Sequence, residues 1–278
     1  MGQAAKKRKA FLLTHPACCF CGGSTPATTI DHVPSRACFK RREFPEGFEF
    51  PACDKCQNND RLNEQAFALM CHLSDRNPEN YDEKLAHKLL IGIANNQPNL
   101  VPKKINRPNE IRHGLRRLGL EKKPGVTLSQ IPIVSLSPEL NPAMRRVGDK
   151  IGLALFYRHF GKIATQTYGV CSFWAQVSDR RRIGDFSTVV KELSGLEVGA
   201  RSNTQLGDRF SYRWSQQEAG EPDIFIAVVK FGLGLVICTM VAAESVWKQD
   251  EPAGWVTVSH FANCDLDQAP WPSVVRGP

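Results

Sequence analysis

Four cysteines near the start of the chain occur as two Cys-x-x-Cys pairs, Cys18 with Cys21 and Cys53 with Cys56. Each pair can approach a metal ion from one tight turn, and four thiolates fill the tetrahedral coordination sphere that zinc prefers. A site closed by four sulfur ligands leaves no open position for a substrate. The spacing therefore predicts a structural Zn²⁺ that fixes the segment between the two pairs.

That segment, and the residues just after it, carry side chains suited to acid–base and metal chemistry. Asp31-His32 lies between the two pairs, and Gln57, Asn58 and Asn59 directly follow the last cysteine. A neutral imidazole can accept a proton near neutral pH, and carboxylate and amide oxygens suit hard cations such as Mg²⁺. Phosphodiester hydrolysis needs both functions, since water must lose a proton and the charge on the phosphate oxygens must be neutralised.

The order of these motifs resembles the zinc-stapled branch of the HNH endonucleases over residues 15–73. The similar stretches are Cys18-x-x-Cys21-Gly22, Thr29-Ile30-Asp31-His32-Val33-Pro34, and Phe50-Pro51-Ala52-Cys53-x-x-Cys56. The resemblance implies a ββα-metal fold with DNA as the substrate. It also implies that His32 is the catalytic general base and that Asp31 binds a catalytic Mg²⁺ or Mn²⁺.

The chain departs from the family pattern directly after the last cysteine. Many members have Asn or His at that position, and this chain has Gln57. Because Asn is the shorter side chain and the more common ligand, we expect the second ligand of the catalytic metal in the order Asn58, Asn59, Gln57. The Asn that many members carry before the second cysteine pair is not evident here.

Each motif also has a simpler interpretation. Two Cys-x-x-Cys pairs are more often a zinc ribbon that binds nucleic acid or protein without cutting, and an Asp-His pair is usually a turn or cap. Adjacent residues on a strand point to opposite faces, so Asp31 and His32 enter one cleft only if the strand is irregular near Pro34. The combination of motifs favours a nuclease. A non-cutting zinc-stapled nucleic-acid-binding protein and a regulatory protein with a purely structural zinc module are the alternatives.

Basic charge is concentrated in the first 125 residues, where 21 Lys and Arg stand against 13 Asp and Glu. The difference of +8 equals the net charge of the whole chain, because the remaining residues hold 15 of each type. This concentration predicts a nucleic-acid-binding surface, since cationic side chains on phosphates release counterions. Four cations between Asp31-His32 and the second cysteine pair are the preferred DNA contacts: Arg36, Lys40, Arg41 and Arg42.

Cysteine use and hydropathy indicate the compartment. The six cysteines outside the two pairs are scattered, which favours a reducing cytoplasm over a disulfide framework, and no secretory signal is evident. One apolar run, Ile224 to Ala243, has the length of a membrane span. Lys230 and a Gly-Leu-Gly turn interrupt it, and its β-branched residues favour a buried hairpin, so we expect no membrane association.

The length of 278 residues predicts more than one unit. We expect an HNH-like module over residues 1–75, a helical, Pro-rich and basic connector over residues 76–130, and a C-terminal α+β domain over residues 131–278. In this last domain, Met144, Val147 and Ile151 recur at helical spacing, which predicts a helix that ends near Gly161. The strands predicted after it cover residues 163–174, 210–216, 223–231, 233–242 and 256–261, with a helix over residues 183–193.

These strands predict a mainly antiparallel sheet. The C-terminal sequence shows no phosphate-binding loop, no Ser-His-Asp order and no second cluster of metal ligands. The resemblance implies that such a domain handles targeting, sensing or dimerisation, with a homodimer or an activating protein as a partner. It also implies a bacterial or phage setting, in mobile elements or antiphage defence.

Overall fold

The computed structural model of the chain describes residues 2–41, 43–75, 77–117, 121–131, 133–202, 204–215, 223–248 and 255–263. These residues form a mixed α+β fold whose largest sheet has six strands and is antiparallel. The predicted α+β class and the mainly antiparallel sheet are confirmed.

The N-terminal part consists of a short hairpin of strands with helices on either side in the sequence. Its elements are α1 (Gln3–Thr14), β1 (Thr29–His32), β2 (Glu49–Ala52), α2 (Asp54–Asn59) and α3 (Arg61–Ser74). β1 and β2 are antiparallel, with Asp31 opposite Phe50 and His32 opposite Glu49. α2 begins directly after Cys53, whose Sγ accepts a backbone N–H three residues later at 3.5 Å.

The middle of the chain packs one helix against α3 and then forms a small, separate hydrophobic cluster. Its elements are α4 (Glu83–Asn96), β3 (Lys103–Lys104), α5 (Pro108–Arg117) and β4 (Val134–Ser135). β3 pairs with β4, and α5 buries Ile111 and Leu115 against Ile133. The sequence predicts helical structure within residues 76–130, and α4 and α5 both lie in that range.

The C-terminal part is one long helix packed on the six-stranded sheet. Its helices are α6 (Leu140–Phe160), α7 (Arg180–Lys191), α8 (Glu244–Trp247) and α9 (Val258–Asn263). Its strands are β5 (Gly169–Gln176), β6 (Gly195–Val198), β7 (Ala200–Arg201), β8 (Thr204–Gln205), β9 (Phe210–Trp214), β10 (Ile224–Phe231), β11 (Leu235–Ala242) and β12 (Val256–Thr257). The order in the large sheet is β12-β5-β11-β10-β9-β6, and β7 pairs with β8 outside it.

The long apolar run forms the β10–β11 hairpin, as predicted. In the described part of the chain, no helix combines the length and apolar character needed to cross a membrane. Two strand predictions need correction. Residues 163–168 precede the strand, which begins at Gly169, and the predicted strand at residues 256–261 turns into α9 after Thr257. β6 was not predicted, because Gly-Leu-Glu-Val is too short to show an alternating pattern.

The long helix α6 ends where predicted, at Gly161, whose φ of 63° is the left-handed conformation that glycine adopts without strain. One side of α6 lies on the sheet so closely that a Cβ on Gly152 would stand 2.1 Å from the Thr239 hydroxyl oxygen. The helix also packs on α3 of the N-terminal part. The largest hydrophobic core of the described residues consequently extends from the cysteine pairs to α9, and α6 packs on both α3 and the sheet.

Candidate functional site

The two cysteine pairs come together as the sequence predicts. The Sγ atoms of Cys18, Cys21, Cys53 and Cys56 all lie within 4.8 Å of one another, and all four residues are buried. Four sulfur atoms around a tetrahedral Zn²⁺ at 2.3 Å would be separated by about 3.8 Å, so this cluster fits the ion with small adjustments. The four cysteines can therefore hold a metal ion such as zinc.

Protonation of these thiols is strongly interdependent. A hydrogen bond with Cys21 and burial raise the pKa of Cys18 to about 12, and hydrogen bonds with Cys18 and Cys21 raise the pKa of Cys56 far above its usual range. The pKa of Cys21 is lowered, mainly by its hydrogen bond with Cys18. Four thiolates this close together repel one another, so a cation is needed to hold them all in the ionised form.

Backbone hydrogen bonds tie the first cysteine turn to the strand hairpin. The backbone N–H of Cys19 donates to the Pro51 carbonyl on β2 at 3.0 Å. The turn closes through Gly22, whose φ is 65°, and a Cβ there would stand 2.7 Å from the Gln166 backbone nitrogen. The cysteine cluster thus fixes the position of β2, and through it the position of β1.

Strand β1 carries Asp31 and His32 to opposite sides, because its register with β2 is regular at both residues. Asp31 is buried, with 6% of its surface exposed, and His32 faces solvent with 26% of its side chain exposed. The local irregularity that would bring both side chains into one cleft is not found in β1. The two residues consequently have separate surroundings.

On the buried side, Asp31 belongs to a cluster of charges centred on Lys150 of α6. The Lys150 Nζ lies 2.7 Å from Asp31 Oδ2, 2.7 Å from Glu64 Oε1 and 3.6 Å from Asp60 Oδ2. Arg146, one turn earlier on α6, donates from Nε to Asp60 Oδ1 at 2.6 Å. Burial lowers the pKa of Lys150, but the three carboxylates outweigh it and raise that pKa above its ordinary value.

The open side of β1 forms a cleft around His32. The imidazole Nε2 lies 3.3 Å from Glu49 Oε1 across the hairpin and makes a short hydrogen bond with the guanidinium of Arg36. Burial and the Arg36 charge lower the pKa of His32, and Glu49 opposes them. A guanidinium can only donate and a carboxylate can only accept, so Nε2 accepts from Arg36 when it carries no proton and donates to Glu49 when it carries one.

Residues from three regions line this cleft, whose volume is about 390 Å³. Lys7 comes from α1, Phe44 and Glu46 come from the loop between β1 and β2, and Arg201 comes from β7 in the C-terminal part. The cleft thus places an imidazole beside three cationic side chains and two carboxylates. Chemically, it can bind an anion and accept a proton from a molecule next to that anion.

The three amides after Cys56 differ in position. Asn58 and Asn59 are exposed on α2, while the Gln57 side chain reaches β1 and donates from Nε2 to the Ile30 carbonyl at 3.5 Å. The expected set of Asp31, Asn58 and Asn59 does not fit a catalytic Mg²⁺ or Mn²⁺ in this arrangement, because the Asp31 carboxylate is buried against an ammonium group. Of the three amides, Gln57, ranked last from sequence, is the one directed at β1.

The predicted DNA contacts are not equivalent. Arg36 lines the cleft with 51% of its side chain exposed. Lys40 donates to the Glu79 carbonyl at 2.7 Å, and Arg41 is exposed with a φ of 55°. Arg42 lies outside the described residues. Of the three described contacts, Arg36 is the one that shares a cleft with His32.

The sequence did not indicate several residues of these surroundings, among them Glu49, Lys150 and Arg201. Glu49 is visible in retrospect as the carboxylate that an antiparallel pairing of β1 and β2 sets opposite His32. Lys150 and Arg201 lie more than 100 residues from β1, and neither carries a local motif that signals a role.

Comparisons of the chain with protein-family models, with curated proteins and with solved structures find no match in any of the three.

Proposed function

We propose that this protein is a phosphodiester hydrolase, an endonuclease that cleaves DNA in the cleft around His32. The observation that carries the proposal is a histidine with a lowered pKa in a cleft with three cationic side chains, on a strand whose partner β2 leads directly into the second cysteine pair. The motif order that resembles the zinc-stapled HNH endonucleases supports the same reaction class. DNA is the substrate that this resemblance implies.

In the proposed reaction, His32 is the general base. Its imidazole takes a proton from a water molecule, and the water oxygen bonds to phosphorus while the bond from phosphorus to one ester oxygen breaks. That oxygen leaves on the cleaved strand and is protonated by solvent. Arg36 is placed to neutralise charge on the non-bridging oxygens. Glu49, whose Oε1 lies 3.3 Å from His32 Nε2, stabilises the imidazolium that forms.

The metals have different places in this proposal. Zn²⁺ at the four cysteines would be structural, because those ligands leave no position for substrate. A catalytic Mg²⁺ or Mn²⁺ would supply Lewis-acid stabilisation of phosphate charge. The residues expected to bind that ion are not arranged for it, since Asp31 is held by Lys150 and Asn58 and Asn59 are exposed.

A zinc-stapled nucleic-acid-binding protein that does not cut is the second candidate. Two observations favour it: the Asp31 carboxylate is paired with Lys150 and buried, and Arg36 covers the Nε2 atom of His32. In that case the basic cleft would bind phosphate without activating water. Binding and cutting must therefore be measured separately.

The test is a plasmid-nicking assay with zinc-loaded wild type and His32→Ala, with and without Mg²⁺ or Mn²⁺. His87→Ala is the matched control, because His87 is exposed on α4 and is not among the residues of the cleft. We expect nicking by wild type and His87→Ala and none by His32→Ala, with the same melting temperature in all three. Nicking by all three would point to a contaminant or another base, and DNA binding without nicking in wild type would favour the second candidate.

A further inference from the structure

Two arginines from distant parts of the chain meet at one aromatic ring in the cleft. The guanidinium carbon of Arg36 lies 4.4 Å from the Phe44 ring centroid, and that of Arg201 lies 4.0 Å from it. A cation over an aromatic face is held by the ring quadrupole, and this contact does not consume its N–H donors. The ring consequently fixes both guanidiniums and leaves donors available for a ligand.

Strand β7 of the C-terminal part positions Arg201 at this ring. The backbone N–H of Glu46 donates to the Ala200 carbonyl at 2.9 Å, which docks β7 on the loop between β1 and β2. Arg201 also donates from Nη1 to the Phe44 carbonyl at 3.3 Å. Arg158 donates to the Gly47 carbonyl at 2.6 Å, so the C-terminal part holds this wall of the cleft at several points.

The two arginines of the cleft have few carboxylate partners. Arg36 lies 4.0 Å from Glu49, at the limit of an ion pair, and both side chains are more than a third exposed. Within the described part of the chain, no carboxylate forms an ion pair with Arg201. Two oriented guanidiniums with little carboxylate compensation are suited to an oxyanion, which accepts parallel N–H bonds from such a planar group.

We propose that Arg36 and Arg201 together bind one phosphodiester group of the substrate, so that the C-terminal part completes the active site. This inference rests on the proposed function and names a role for the C-terminal part in it. Arg36 now covers the Nε2 atom of His32. When a phosphate oxygen takes the Arg36 donors, that nitrogen becomes available to the attacking water. Arg201 binds the phosphate while the Arg36 donors turn from His32 to the phosphate, with the Arg36 guanidinium still on the Phe44 ring.

The test compares Arg201→Met with Arg213→Met. Arg213 lies on β9 and donates to the Leu193 carbonyl at 3.2 Å, away from the residues that line the cleft. Affinity of the zinc-loaded proteins for a labelled DNA duplex is measured by fluorescence anisotropy at several salt concentrations, in buffer without Mg²⁺ or Mn²⁺. We expect Arg201→Met to bind about tenfold more weakly, the loss of one charge-assisted contact, with a smaller salt slope. Arg213→Met should match wild type.

A second readout does not require cutting. Isotope-labelled histidine is followed by NMR while inorganic phosphate is added. We expect phosphate to raise the pKa of His32 in wild type and in Arg213→Met, because Arg36 leaves the imidazole and an anion arrives, and to raise it less in Arg201→Met. A role of Arg201 in packing alone would lower the melting temperature without changing the salt slope or this titration.

The outcomes separate the two proposals. Nicking by wild type with unchanged affinity, salt slope and phosphate response in Arg201→Met would overturn the arginine pair and leave the nuclease standing. No nicking by wild type, with a phosphate response lost in Arg201→Met, would overturn the nuclease and leave the anion site standing. If Arg201→Met does not fold, Arg201→Lys keeps the charge without the planar fork and should show the same losses in smaller degree. Wild-type behaviour of the lysine variant would overturn the bidentate contact.

Discussion

The two faces of strand β1 place two neighbouring titratable side chains, Asp31 and His32, in different surroundings. On the closed side, Asp31 is buried among charges that are paired with one another through Lys150. On the open side, His32 shares a solvent-exposed cleft with cations that have few carboxylate partners. The two residues therefore differ in what they can do. Asp31 is buried and already paired with a cation, whereas the His32 imidazole can be reached by a ligand.

The closed side links the two parts of the fold. Asp31, Asp60 and Glu64 belong to the N-terminal part, and both cations come from one face of α6. Such a cluster has little net effect when intact, because desolvation offsets attraction, but removal of one member leaves buried charge unpaired. Its role is then to fix how α6 meets β1 and α3. The following predictions test the difference between the two sides.

Metal removal should have the largest effect on stability, because the cysteine cluster positions β1 and β2 and hence the residues on both faces of β1. Structural zinc contributes about 10–16 kcal/mol in small zinc-binding peptides, as much as the whole stability of a typical domain. We expect one Zn²⁺ per chain by mass spectrometry and loss of cooperative thermal unfolding when a chelator removes it. Cys53→Ser should lose the zinc, while Cys238→Ser, which alters a cysteine in β11, should keep it. Zinc-free protein with an unchanged melting curve would contradict a structural role.

Lys150→Met should lower the free energy of unfolding by about 3–5 kcal/mol, since it leaves the buried Asp31 without its cation and removes a partner from Asp60 and Glu64. Lys88→Met on exposed α4 is the matched control and should change stability by less than about 0.5 kcal/mol. Urea denaturation followed by circular dichroism measures both. Equal stability of the two variants would show that the closed side is not held by this cluster.

The contrast between the two sides also explains what the sequence could reveal. The four cysteines, the α+β class, the β10–β11 hairpin and the end of α6 at Gly161 follow from local spacing and turn chemistry, and they were predicted. Lys150 could not be paired with Asp31, because 119 positions separate them and a lysine within an amphipathic helix ordinarily points to solvent. Arg201 gave no signal for the same reason. Long-range electrostatic partners depend on the packing of elements, which a single sequence does not specify.

The separation of Asp31 from His32 was foreseeable in part. Strand geometry predicts opposite faces for adjacent residues, and an exception near Pro34 was expected only because the resemblance implies that both act at one site. The structure has regular pairing at both residues. The prediction for Asp31 as a metal ligand can therefore be tested directly against a structural role on the closed side.

Asp31→Asn should lower the free energy of unfolding but leave the proposed catalytic activity at His32 in place. The amide keeps the shape but not the charge that Lys150 binds, so we expect a loss of about 1–3 kcal/mol in the free energy of unfolding. The nicking rate per folded molecule should stay near that of wild type at every Mg²⁺ concentration. Unchanged stability with nicking abolished, and rescued by excess metal, would instead make Asp31 a metal ligand and break the distinction between the two sides.

The smallest effect, and the most specific, concerns the titration of His32. Burial and Arg36 lower its pKa and Glu49 raises it, so removing each neighbour should move the pKa in opposite directions. Arg36→Met should raise the pKa of His32 and Glu49→Gln should lower it, as measured by NMR of isotope-labelled histidine in the absence of substrate.

A general base works only when unprotonated, so activity is lost as pH falls through this pKa. The acid limb of the pH–rate profile should accordingly shift to higher pH in Arg36→Met and to lower pH in Glu49→Gln, in addition to any loss of rate. Shifts of the same sign in both variants would mean that the two side chains do not act on the imidazole through their charges.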